Sequence, residues 1–190
     1  MKIFYEKEAG TALYQWKYQT PEHMDDMIMC SDGEYLTGLW FERSEDVDTY
    51  VINCEEKELP VFLETEQWLD QYFSGKDPEN VPPIRIHNIT PFRQEVIEIM
   101  NTIPYGQTMT YGDISSIIAK HRGLKRMSAQ AVGGAVGWNP ICIIIPCHRV
   151  VGTNGSLTGY GGGIHNKVSL LTLEGIDMKQ YYVPKTGTAL

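Results

Sequence analysis

The chain has 190 residues, 42% hydrophobic and 21% charged, which excludes a disordered or fibrous chain and suits one domain or two small ones. Its formal net charge of −8, from 16 basic and 24 acidic residues, argues by itself against a nucleic-acid partner. That charge is lopsided: residues 1–91 carry 7 basic and 19 acidic side chains, whereas residues 92–190 carry 9 basic and 5 acidic ones. The acidic half is therefore expected to face away from any nucleic acid that the basic half binds.

No apolar run approaches the roughly 18–20 residues that span a bilayer. The N-terminal Met1-Lys2-Ile3-Phe4-Tyr5-Glu6 lacks the apolar core of a signal peptide. These features predict a cytoplasmic protein whose Cys30, Cys54, Cys142 and Cys147 are thiols. The four are neither in a CxxC pair nor in a close Cys/His cluster, so no metal is expected.

The first half reads as short strands at 2–5, 11–19, 34–40 and 61–63, separated by polar or Gly turns. A helix is predicted over 65–73, with Thr65 as its N-cap and Trp68, Leu69 and Tyr72 at helical spacing. The Gly-, Pro- and polar-rich stretch 74–83 reads as a linker.

The second half opens with Thr90-Pro91, a helix start with Thr as cap and Pro at the first helical position. Phe92, Val96, Ile99 and Met100 form its apolar stripe. Thr110-Tyr111-Gly112-Asp113 resembles a capping box and starts a helix with Ile114, Ile117 and Ile118 inward. A loop carrying His121, Arg122, Lys125 and Arg126 follows, and Ser128 caps a third helix over 129–137. That helix is rich in small residues (Ala129, Ala131, Gly133, Gly134, Ala135), so another backbone can approach it closely, whether a packed helix or a nucleic acid. The run 141–145 reads as a strand buried on both faces, and Asn154-Gly155 as a two-residue hairpin turn. A last helix spans 165–174, with Val168, Leu170 and Leu171 inward and Gly175 as its cap.

The chemistry concentrates in Pro146-Cys147-His148-Arg149-Val150. A thiolate is a strong soft nucleophile, and a neighbouring His or Arg lowers its pKa. Adjacent strand residues point to opposite faces, so contact between Cys147 and His148 requires a turn or a bridging water. An acid should orient the imidazole, and the second half offers Glu95, Glu98, Asp113, Glu174 and Asp177. Cys30, Cys54 and Cys142 read as buried, inert thiols.

The Pro-Cys-His-Arg-Val string resembles the active-site signature of the O6-alkylguanine-DNA alkyltransferases, or methylated-DNA–protein-cysteine methyltransferases. Ala131-Val132-Gly133-Gly134-Ala135 and Asn139-Pro140 precede it in family order. Gly159-Tyr160-Gly161-Gly162-Gly163 and Lys167, Leu170-Leu171 and Glu174-Gly175 follow it, and Ile103-Pro104-Tyr105-Gly106 and Thr110-Tyr111 fit upstream. The resemblance covers about residues 90–175.

The resemblance implies an α+β protein with three segments. Residues 1–83 would form a ribonuclease-H-like α/β domain with its linker. Residues 84–178 would form a winged-helix-like, helix-turn-helix DNA-binding domain, and 179–190 a C-terminal tail. It implies single-turnover, suicidal DNA repair without a cofactor, acting as a monomer on double-stranded DNA containing O6-alkylguanine, with base flipping; O4-methylthymine is a further substrate it admits. Cys147 would accept the alkyl group, His148 would act as a water-mediated base oriented by Glu174, and Asn139 would arrange hydrogen bonds. Tyr111 would donate to guanine N3. Val150, Tyr160, Gly161, Gly162 and Arg149 would bind the substrate base. Thr110, Arg122, Lys125, Arg126, Ser128, Ala129, Gln130, Ala131, Gly133 and Gly134 would meet DNA. Gln130 stands where many relatives have an Arg that fills the gap left by the flipped base, and Gly161 where some have Ser. Two other classes compete: a non-catalytic damaged-DNA-binding module of the same fold, against which Cys147 with His148 and Glu174 speaks, and a cysteine hydrolase, for which no oxyanion hole is evident.

Overall fold

A computed structural model of the chain describes residues 2–8, 10–44 and 47–184. The fold is mixed α/β and divides into two compact units, Met1–Thr90 with Pro140–Ile144, and Pro91–Asn139 with Ile145–Leu190.

In the first unit the short apolar runs become strands β1 (Ile3–Tyr5), β2 (Tyr14–Tyr18), β3 (Met27–Ser31) and β4 (Leu36–Phe41). Helix α1 (Val47–Val51), β5 (Glu55–Glu56), α2 (Pro60–Phe73) and β6 (Ile84–Ile86) follow. The sheet order is β1-β6-β4-β3-β2-β5, with β2, β3 and β4 an antiparallel meander and β6 parallel to both neighbours. The meander turns at Asp32, whose carboxylate accepts from the backbone of Glu34 and Tyr35, while Gly33 supplies φ +107°.

Three sequence expectations change here. Strand β3, buried along its whole length, falls in a stretch read as loop. The 61–63 run is not a strand but the first turn of α2, which starts at Pro60 rather than at Thr65; Pro at the first helical position was the overlooked start signal. Thr65 is buried inside that helix with its hydroxyl donating to the Val61 carbonyl at 2.7 Å. Finally, β6 belongs to this sheet, so the units divide at Thr90/Pro91 rather than at 83/84.

The 141–145 run also belongs largely to the first unit, and it is not a strand. Ile141 makes one isolated bridge to Leu39, and the chain then turns, with Ile144 N–H donating to the Cys142 carbonyl and Ile143 at φ +68°. The apolar residues are there because the turn is buried, not because a ladder runs through them.

The second unit comprises α3 (Pro91–Met100), β7 (Met109–Thr110), α4 (Tyr111–His121), α5 (Ala129–Gly137), β8 (Val150–Val151) and α6 (Ile164–Leu173). Local chemistry sets the helix starts as read. Thr110 and Asp113 form a reciprocal capping box at α4, and the Ser128 hydroxyl accepts from Ala131 N–H at α5. In α3 the buried stripe is Val96, Ile97, Ile99 and Met100, with Phe92 partly exposed. In α4 it is Ile114, Ser115, Ile118 and Ala119, with Ile117 half-buried.

Strands β7 and β8 pair in parallel. Asn154 (φ +58°) and Gly155 (φ +78°) make the expected tight turn, but its flanks do not form a hairpin. Ser156 instead bridges in parallel to Tyr182. The expected tail at 179–190 is thus held to the second unit as far as it is described, and 185–190 lie outside the described residues.

Thr110→Ala removes the capping hydroxyl that fixes where α4, and with it Tyr111, begins. It should lower stability by about 1 kcal/mol, read as a lower midpoint in urea unfolding.

Candidate active site

The candidate nucleophile sits in a single 3₁₀ turn, Cys147–Arg149, not at a strand end. Pro146 (φ −80°, ψ 59°) sets the approach, and Cys147 N–H donates to the Ile145 carbonyl at 2.8 Å. In this turn Cys147 and His148 do not follow the alternation that a strand would impose. Cys147 is buried, and Asn139 Nδ2 donates both to its sulfur at 3.0 Å and to the Ile145 carbonyl at 2.9 Å. Asn139 therefore ties the sulfur to the turn that carries it, and an N–H aimed at sulfur favours the thiolate.

Among the five acids the sequence offered, Glu174 is the one at His148. Its Oε1 lies 2.7 Å from His148 Nε2, and both side chains are fully buried. Arg149 Nε and Nη2 hold the same carboxylate at 2.9–3.1 Å, and Gly106 N–H donates to its second oxygen at 3.0 Å. Burial alone would push the Glu174 carboxyl up, but the hydrogen bonds and charges of His148 and Arg149 hold it at about 2. Burial pushes the His148 imidazole down, against Glu174, so it is neutral at neutral pH and able to accept a proton.

Arg149, expected at the substrate, has its guanidinium engaged within the fold. Besides Glu174, its Nη1 donates to the Ile103 carbonyl at 2.8 Å. Its position explains the Ile103-Pro104-Tyr105-Gly106 string. Gln107 N–H closes a tight turn on the Pro104 carbonyl, and Gly106, at φ +73°, turns its N–H toward Glu174.

Tyr111, at the first position of α4, donates to the carbonyls of Thr158 and Gly159 at 3.3 and 3.4 Å. Burial and the nearby Cys147 push its phenol up to about 12, so it remains a donor. Tyr160 and Gly162 are buried and Gly161 is exposed. The sequence alone assigned no role to Lys167. It is fully buried, its ammonium donates to the Val150 carbonyl at 2.6 Å, and burial pulls it down to about 8. Its signal was legible only as a lysine on the inward side of α6. Cys30 is pushed up to about 12 by burial and Cys54 also upward, as inert thiols would be.

The expected nucleic-acid residues lie on α5 and the loop before it, except Thr110, which caps α4. Ala129, Gln130, Ala131 and Gly134 are exposed and Gly133 half-exposed, while Val132, Ala135 and Val136 face inward. A Cβ added at Gly134 or Gly137 would meet nothing within 4 Å, so these two glycines do not serve helix packing, whereas Ala135 is buried. Lys125 and Arg126 line a cleft of about 290 Å³ with Lys120, beside Ser115 and Ser116. Arg122, by contrast, is paired with Glu95 at 2.7 Å and lies over the Phe92 ring. Among the described residues no three His, Cys, Asp or Glu side chains converge as a metal site needs, and no helix is long and apolar enough to cross a membrane.

A buried thiol beside an imidazole–carboxylate pair, in a unit with a bare small-residue helix, defines a cysteine-nucleophile protein with a surface suited to a close-approaching partner. Comparison with known proteins makes this specific. A family model described as "6-O-methylguanine DNA methyltransferase, DNA binding domain" matches residues 91–176. The methylated-DNA–protein-cysteine methyltransferase of Haemophilus influenzae is 38% identical over 171 residues, covering 87% of this chain and 88% of that one. The constitutive enzyme of that name from Bacillus subtilis is 34% identical, covering 88% and 98%. A crystal structure of the Mycobacterium tuberculosis protein in complex with DNA superposes with a TM-score of 0.72 at 34% identity, covering 89% of this chain and 95% of that one. The chain belongs to the methylated-DNA–protein-cysteine methyltransferase family.

Glu174 supports the fold only while ionised. A carboxylate depressed from 4.5 to about 2 stabilises the folded chain above its ordinary pKa, and that stabilisation is lost as pH falls from about 4.5 towards 2. The melting temperature should drop across that window. Glu174→Gln should melt lower at neutral pH and show a flatter acid limb; an unchanged acid limb would assign the loss to other carboxylates.

Proposed function

We propose that the protein repairs alkylated DNA by direct reversal, moving a methyl or other alkyl group from guanine O6 in duplex DNA to the Cys147 sulfur in one turnover. The observation that carries this reading is the Cys147 thiol, bonded by Asn139, in the same turn as His148, which is paired with the buried Glu174. The names of the relatives support it.

His148 takes the thiol proton through a water at Nδ1, while its Nε2–H donates to Glu174, which stabilises the imidazolium. The thiolate attacks the alkyl carbon. An S–C bond forms as the C–O6 bond breaks, and the electron pair leaves on guanine. Tyr111 donates to N3 of the departing base. The carbonyls of Cys147 and Val150 accept from the exocyclic amine, the Val150 oxygen using the lone pair that Lys167 does not occupy, and the 160–162 loop walls the pocket. Arg149 acts on Glu174 rather than on the base. Thiol exchange does not reopen a thioether as it does a disulfide, so the protein is consumed.

A base inside a duplex cannot reach a buried thiol, so the target leaves the stack. Gln130, exposed at the start of α5, then faces the gap as a neutral hydrogen-bonding side chain, weaker than an arginine would be. Thr110, Ser128, Ala129, Ala131, Gly133 and Gly134 form the surface that enters the minor groove, and Lys125 and Arg126 neutralise phosphates. In this reading the first unit is ribonuclease-H-like and the second winged-helix-like, with α4 and α5 as its helix-turn-helix. The protein works as a cytoplasmic monomer, and O4-methylthymine is a second substrate.

Incubated with duplex DNA carrying O6-methylguanine, the protein should gain a single methyl group on Cys147 in intact and peptide mass spectra, and Cys147→Ser should gain none. Damaged-DNA binding with no mass gain would replace this reading by a sensing module. Lys125→Ala with Arg126→Ala should weaken binding to all duplexes alike and reduce the salt slope by roughly one for each phosphate no longer neutralised.

A further inference from the structure

Two chain segments, far apart in sequence, meet at Tyr111. One is the start of α4 itself, reached through Thr108 and β7. The other is the loop over 158–163, whose Thr158 and Gly159 carbonyls accept from Tyr111. Four of the residues 159–163 are glycines, two of them at positive φ (Gly159 +64°, Gly163 +87°). Such a loop does not hold its own shape, because glycine leaves the backbone the widest choice of conformation. It has to be held at its ends.

The downstream end is held within α6: the buried Asn166 amide donates to the Gly162 carbonyl at 2.6 Å, and Gly163 N–H to the Tyr160 carbonyl at 2.9 Å. The upstream end is held by the segment after α6. Leu157 N–H donates to the Tyr182 carbonyl at 2.9 Å, and Tyr182 N–H to the Gly155 carbonyl at 3.1 Å. The Tyr182 ring is exposed, so its backbone makes this attachment. Leu157 is buried with Val151 and Leu171, and Ile176, Met178 and Tyr181 pack on that cluster. Gly155 lies so close beneath the Gln180 carbonyl that no side chain fits there. The adjacent Tyr181 reaches the other segment, its hydroxyl 2.9 Å from Thr108 Oγ1. One dipeptide thus bonds both to the segment that leads into Tyr111 and to the segment that leads into the loop.

We propose that Tyr181 and Tyr182 form a clamp that fixes the distance between Tyr111 and the 158–163 loop, and so sets the size of alkyl group that reaches Cys147. Tyr181 is a positioning residue in this scheme, acting through Thr108 and the loop and touching no substrate atom. The proposal rests on the alkyl-transfer reading above. Loosening the clamp blurs the fit around a methyl group and leaves a bulky group, which needs room, less affected.

The test compares single-turnover transfer rates from two duplexes, one with a methyl and one with a benzyl group on guanine O6. Wild type, Tyr181→Phe, Thr108→Val and the double variant are measured. Each single change deletes one hydroxyl and keeps the packing. The benzyl-to-methyl rate ratio should rise by about threefold or more in both single variants, as removal of one hydrogen bond's positioning would produce. The double variant should match the singles, because all three lack the same bond. An unchanged ratio, with both rates or the melting temperature falling together, would mark a merely structural bond and overturn the clamp. A wild-type protein that transfers neither group overturns the functional reading, and the clamp with it.

Discussion

The second unit is organised around one buried carboxylate. Glu174 lies at the C-terminal end of α6 and is 5% exposed, so its charge has to be answered by protein groups. A buried ion that loses its partner costs several kcal/mol, far more than an exposed pair contributes. The partners come from two other stretches of chain: the Gly106 turn, and His148 with Arg149 in the 3₁₀ turn. Arg149 then reaches on to the Ile103 carbonyl and ties those two stretches together. The carboxylate therefore cannot be satisfied unless the turn bearing Cys147 is already in place. The group that tunes the imidazole and the group that fixes the nucleophile's position are the same.

The unit distributes its polarity unevenly. Arg149, Lys167 and Glu174 are all buried around the thiol, whereas α5 presents an uncharged face of Ala, Gly and Gln to solvent. That division keeps the charges inside, where protein groups answer them, and leaves outside a neutral face that another backbone can approach closely. The exposed cations Lys120, Lys125 and Arg126 stand in and around the loop before α5, while Arg122 is taken up by Glu95. The net charge of −8 describes neither this surface nor the strongly acidic first half.

Legibility in the sequence followed the range of the interaction. The starts of α3, α4 and α5 were readable because Pro91 stands at a first helical position and because Thr110 with Asp113, and Ser128, bond to backbone within three residues. Apolar runs were not readable in the same way. Met27–Ser31 is a buried strand, 61–63 is helical and 141–145 is a buried turn, yet all three are short stretches of mainly aliphatic, Met or Phe residues. Hydrophobicity says that a segment is inside; it does not say which backbone hydrogen bonds it makes there.

By itself the sequence placed Cys147 in a family pattern and set the helix starts around it, since those depend on residue type and on neighbours close along the chain. Only the tertiary structure showed which of five acids is bonded to His148. Residue type alone left Glu95, Glu98, Asp113 and Asp177 equal to Glu174; the family resemblance pointed to Glu174, and the contact that pairs it with His148 is made across 26 residues. The same holds for Lys167 against Val150, for Arg149 turned inward to Glu174, and for Tyr181 against Thr108. A charge or a hydrogen bond acts through distance in space, and that distance exists only once the chain has closed on itself.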